Sequence, residues 1–112
     1  MVPTPQFTAE LQFHFREHGP DRRQWFMFDE SLHRRLPMQM VGVDGLNTVG
    51  MWVDEAGTFK AGDSTFVRCV VLWPELYDSA VRPGVEFELW DAGFFATGIV
   101  RERIEAGWPN EV

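Results

Sequence analysis

From Phe7 to Arg16 the chain alternates: Phe7, Ala9, Leu11, Phe13 and Phe15 are apolar, while Thr8, Glu10, Gln12, His14 and Arg16 are polar or charged. A period of two puts one set on each face of a half-buried strand. The signature returns at Val85, Phe87 and Leu89, interleaved with Glu86 and Glu88. No segment carries a convincing helical repeat of apolar residues. A chain of this kind must build its core from sheet faces.

Turn chemistry divides the remainder. Glu17-His18-Gly19-Pro20-Asp21 collects residues that supply positive φ, fixed φ and local side-chain hydrogen bonds, which predicts a hairpin from the first strand into Gln24 to Phe28. Asp29 to Pro37 reads as loop, because Pro37 pushes Leu36 out of helix geometry. Met38 to Val43 and Leu46 to Val53 read as strands joined by a two-residue Asp44-Gly45 turn, with Gly50 marking a bulge or a close backbone approach. Turns at Glu55-Ala56-Gly57 and Gly62-Asp63 flank a brief extended piece, Thr58 to Ala61. Thr65 to Trp73 is apolar except for Arg68, as expected of a strand buried for much of its length and ended by Pro74. Glu75 to Pro83 is a loop, and Phe94 to Ile104 a closing strand in which Gly98 relieves crowding. Six to eight strands with frequent turns predict an all-β fold, a small closed antiparallel β-barrel whose closure leaves no apolar edge exposed.

With 112 residues and 45% hydrophobic content the chain makes one folded domain. We expect a flexible segment over 1–6, the barrel over 7–105 and a tail over 106–112. The net charge of −7 opposes whole-surface attraction to nucleic acid or anionic lipid. Cys69, alone and inside an apolar run, is expected to be a buried hydrophobe, and the chain to be cytoplasmic. No apolar run approaches the length of a membrane span.

The stretch Ala61 to Val100 resembles the C-terminal barrel, domain three, of elongation factor Tu. Gly62-Asp63 leads into an apolar strand ending Val70-Val71-Leu72-Trp73-Pro74. Gly84-Val85-Glu86-Phe87-Glu88-Leu89 resembles that family's penultimate strand, and Ala96-Thr97-Gly98-Ile99-Val100 its small-residue-rich closing strand. Phe7 to Leu11 is similar to its opening strand, while Arg23 to Val53 matches mainly in hydrophobic spacing. The resemblance implies a bacterial, translation-related binding module standing without its GTPase domain. Two departures bear on RNA contact: Leu36 stands where the family has an arginine before its proline, and the acidic, aromatic Trp90-Asp91-Ala92-Gly93-Phe94-Phe95 replaces a basic glycine-rich turn.

Catalytic patterns are wanting. His14, His18 and His33 sit in no metal-ligand spacing, and the chain has no nucleophile elbow and no phosphate-cradling glycine loop. Neither a metal nor a cofactor is expected. Glu86 and Glu88 share a strand face, but it is the face turned away from the core, where they read as solvated charges. His14 reads likewise as a solvated residue. Between His14 and Arg35 stand five arginines, with Arg22, Arg23, Arg34 and Arg35 in pairs around Trp25 and Phe26, against four acidic residues. This is the candidate patch for a phosphate or an acidic protein surface. Of Trp52, Trp73, Trp90 and Trp108, two or three are expected to fill the barrel, with Trp90 outward as a candidate partner contact. The expected function is non-catalytic binding of a protein partner. The alternatives are a tRNA- or RNA-contacting accessory protein and a small enzyme using His14, His18, Glu75 or Asp78 at a barrel mouth.

Overall fold

The computed structural model describes residues 3–109. Eight strands occur in it: β1 (Phe7–Phe13), β2 (Trp25–Phe28), β3 (His33–Met40), β4 (Asn47–Trp52), β5 (Gly57–Lys60), β6 (Ser64–Val71), β7 (Glu86–Trp90) and β8 (Phe94–Arg103). A one-turn helix, α1 (Pro74–Tyr77), follows β6, and a 3-10 turn, Glu105–Gly107, follows β8. Six strands close an antiparallel barrel in the order β1-β6-β4-β3-β7-β8, and β8 pairs back to β1. This is the expected closed all-β architecture.

Alternation fills the barrel as predicted along β1 and β7. Phe7, Ala9, Leu11 and Phe13 are buried, as are Phe87 and Leu89. Gly98 is where the ring of Phe87 crosses β8: a Cβ there would lie 2.1 Å from Phe87 Cζ, so only glycine fits. The interior is built from phenylalanine, methionine and valine. Of the four tryptophans from which two or three were expected to fill it, Trp108 is buried and Trp52 half-buried, while Trp73 is exposed, as is Trp90. An indole N–H needs a partner when buried. Trp108 finds one in the Gln6 carbonyl, 3.0 Å away at the barrel rim.

The predicted hairpin from the first strand into Gln24 to Phe28 does not form. β1 stops at Phe13, Phe15 adopts a left-handed φ of 51°, and β2 pairs instead with β5, from Trp25↔Lys60 to Phe28↔Gly57. The aromatic residues explain the choice. Phe26 and Phe28 are buried beneath this ribbon, and Phe13 stacks on both Phe26 (5.7 Å between ring centroids) and Phe59 (5.1 Å). Phe95 lies 5.2 Å from Phe26. The ribbon is thus a lid sealing one barrel end with aromatic surface that a local hairpin would leave wet.

Four further expectations change. Residues 33–37, read as loop, belong to β3; Pro37 pairs with Thr48 of β4 and lies one residue beyond the Met38–Met40 stretch that pairs with β7, so its missing N–H costs that ladder nothing. Asp44-Gly45 does not make a two-residue turn. The connection runs over 41–46 with Gly42 (φ 91°) and Gly45 (φ 81°) both left-handed, while β3 and β4 pair from Met38↔Asn47 inward. Finally, β6 alternates rather than lying buried. Val67, Cys69 and Val71 point inward, but Phe66 is 65% exposed and Leu72, just past the strand, 60%. The expected loop 75–83 also contains part of α1, whose Tyr77 is buried with no hydrogen-bond partner for its hydroxyl among the described residues.

The other barrel end is closed by flanking chain. Gln6 is buried; its N–H donates to the Cys69 carbonyl at 2.9 Å, and its Oε1 accepts from the Val71 N–H at 2.7 Å. Ile104 N–H donates to the Gln6 carbonyl at 2.9 Å. Arg103 lies 4.3 Å over the Trp108 ring. Cys69 is completely buried, and desolvation pushes its thiol far above the ordinary range.

Candidate functional site

The lid end gathers part of the predicted basic patch. The β7–β8 turn, Asp91 to Gly93, has left-handed φ at Ala92 and Gly93, and residues 17–23 wrap around it. Glu17 accepts the Phe94 N–H at 2.9 Å. Both ring nitrogens of buried His18 face carbonyls, Arg23 at 3.1 Å and Asp91 at 3.0 Å. Arg22 donates to the Ala92 carbonyl, and Arg23 pairs with the Asp91 carboxylate at 2.9 Å while lying 5.0 Å over the Trp25 ring. Trp90, adjoining this clasp, is 37% exposed and points outward as expected.

The four arginines do not converge. Arg34 is spent on the lid, donating to the Met27 carbonyl at 2.7 Å and stacking 4.3 Å over Phe26. Arg35, the next residue, points to the opposite face of β3 and makes no hydrogen bond or ion pair to the described residues. Alternation along a strand separates neighbours to opposite faces. The pair read together in sequence is therefore divided between lid and wall.

The histidines stand apart from one another. His14 is not the solvated residue expected: its Nδ1 accepts the Arg16 N–H at 3.0 Å, which leaves Nε2–H to face Glu88 at 3.4 Å. Glu88 also accepts from the Thr97 hydroxyl at 3.0 Å, so it too is held rather than free. This trio lies on the outer wall of β7 and β8. His33 stacks on Trp52 with 4.3 Å between ring centroids, and its Nε2 is buried without a partner. Among the described residues no three His, Cys, Asp or Glu side chains gather as a metal site.

Burial, with the Arg35 charge alongside, holds the His33 imidazole below its ordinary range. The sign follows directly. An unfolded histidine titrates near pH ~6.5, so above that both states are neutral; as pH falls below it the unfolded chain takes the proton first and stability drops, down through the lower folded value. We expect the urea midpoint to fall between pH 7.5 and 5, and the fall to be smaller in His33→Gln. An identical acid limb in the variant would remove His33 as a cause.

A second surface was missed. The outer faces of β3, β4 and β6 set Pro37, Trp52, Val70 and Leu72 among the polar Arg35 and Thr48, and a groove of about 490 Å³ runs along them. At its end Leu72, Trp73 and Leu76 are each at least half exposed. The signal was present: with Val67, Cys69 and Val71 inward, Phe66, Val70 and Leu72 must face out. No protein-family model matches the chain, and no curated protein matches it.

Proposed function

We propose that this chain is a non-catalytic binding module, a barrel of the elongation factor Tu third-domain kind that holds a protein partner. The observation that carries the reading is the contrast between a filled interior and an apolar exterior. Twelve large side chains are almost wholly buried. Phe66, Leu72, Trp73 and Leu76 meanwhile sit in solvent at half exposure or more. Large aromatic and aliphatic side chains left in solvent, three of them near one another in the chain at Leu72, Trp73 and Leu76, are the material of protein interfaces.

The closed six-strand barrel supports the resemblance in architecture, and the small-residue stretch Ala96 to Val100 admits a ring across Gly98. RNA contact is less well supported. Arg22 and Arg23 are engaged by the Asp91-Ala92 turn, Arg34 by the lid, and only Arg35 is left over. Of the residues named for an enzymatic reading, His18 is held between two carbonyls, Asp78 pairs with Arg103, and His14 meets Glu88 on an outer wall. Among the described residues no helix is long and apolar enough to cross a membrane; a cytoplasmic setting suits the single, buried thiol.

Affinity capture from a lysate of the source organism tests the reading. We expect one or a few proteins to be retained equally at low and moderate salt, as apolar contact predicts and phosphate contact does not. A parallel capture with Trp90→Ala asks whether the lid end contributes. Recovery of RNA alone, lost as salt rises, would replace the proposal with the RNA alternative.

A further inference from the structure

Strand register draws the outer wall as a grid. Arg35, Gly50 and Val70 form one row across β3, β4 and β6; His33, Trp52 and Arg68 form the next toward the lid. Pro37 and Thr48 form the row on the other side, where the Leu72 N–H reaches the Thr48 carbonyl at 3.3 Å. Gly50 makes the middle row a floor. The Trp52 ring leans across it, 3.1 Å from where a Cβ would stand, and closes one end of the groove, while Leu72 and Pro3 bound the other.

Charge singles out one position. Arg68 of the neighbouring row is paired with Asp54 at 2.7 Å. Arg35 lines the groove, is exposed, and has no acidic partner; no acidic residue lines the groove among those described. A guanidinium set beside Trp52, Val70 and Leu72 is complementary to a carboxylate flanked by apolar groups, which it can grip through two parallel N–H donors.

Shape favours a polypeptide over a small molecule. The groove is an open wall, and small ligands are held where most of their surface is enclosed. From the Trp52 row to the Thr48 row is four residues of strand, about 13 Å at roughly 3.3 Å per residue, the reach of a short extended segment. Across the groove itself β3, β4 and β6 are hydrogen-bonded to one another, so a segment lying on this face is recognised by its side chains.

We propose that the β3–β4–β6 wall is a docking groove for an extended apolar segment of a partner protein carrying one Asp or Glu opposite Arg35. The proposal rests on the protein-binding reading above and gives it a surface and a partner chemistry. Its test is selection of displayed random heptapeptides on the wild-type protein and on Arg35→Glu and Trp90→Ala, with equal urea midpoints establishing that the exposed substitutions leave the fold intact.

Wild type is expected to enrich peptides with a single acidic residue among apolar ones. Arg35→Glu should weaken these by about tenfold or more, as loss of a charge-assisted bidentate contact implies, and select basic residues in their place; Trp90→Ala should retain them. Enriched peptides without an acidic residue, or acidic ones indifferent to Arg35→Glu, overturn the groove. Peptides lost only in Trp90→Ala move the surface to the lid end and leave the protein-binding reading standing. Absence of any enriched peptide overturns the groove as well, and absence of a captured protein in addition overturns both.

Discussion

Gly98→Ala is expected to destabilise the barrel by about 3 kcal/mol, the upper part of the usual range for overpacking a tight core. A Cβ at 98 meets three atoms of the Phe87 ring, the nearest at 2.1 Å. That ring cannot simply swing away. It is wholly enclosed and packs edge-on against Phe7 at 6.1 Å between centroids. A loss of this size is a large part of the roughly 5–15 kcal/mol that holds a small domain folded. A urea titration of the variant measures it. Phe87→Leu in the Gly98→Ala background should recover part of the loss, because a smaller side chain admits the new methyl; additive effects of the two changes would show that 87 and 98 do not meet.

Phe13→Ala should cost about 4 kcal/mol, the middle of the range for truncating a buried phenylalanine. Phe13 is the hub between lid and barrel, stacked on Phe26 and Phe59 and lying 6.2 Å from Phe95. Its loss should act unevenly. Amide exchange in β2 and β5 is expected to accelerate more than in β1 or β8, since the ribbon has no other strand to hold it. Phe66→Ser supplies the contrast: Phe66 is 65% exposed, and its replacement should move stability by less than about 0.5 kcal/mol. A Phe13→Ala protein as stable as wild type would mean that the lid is not anchored through this ring.

These positions also mark what a sequence can disclose. Phe7 to Phe13, Val85 to Leu89 and the need for glycine at 98 were legible, because period-two alternation and a glycine in a strand are local facts. The fate of Trp25 to Phe28 was not. Whether that segment turns back on β1 or crosses to β5 is decided by Phe13, Phe59 and Phe95, which lie elsewhere in the chain. Residues 33–37 were missed for a similar reason: Pro37 keeps Leu36 extended as expected, but what makes that extended piece a strand is its pairing with Thr48 to Trp52 of β4, which lies further along the chain. The candidate site was half legible. Trp90 faces outward as alternation required, but Arg34 and Arg35, adjacent in sequence, part to opposite faces of β3. The β6 wall was in reach of the same alternation rule, and was obscured because Phe66, Val70 and Leu72 remove most of the polar contrast by which an outward face is read.

The order in which the strands pair bears on how the molecule is made. β1 is translated before both of its neighbours, β6 and β8, and β8 closes the ring. The greasy face of β1 must therefore wait, unsheltered, until the last strand of the barrel is synthesised. Only the β3–β4 and β7–β8 hairpins can assemble as they appear. Distant pairings of this sort slow the search for the native state and prolong the interval in which nascent chains can stick to one another. During that interval the surplus of negative charge keeps copies apart.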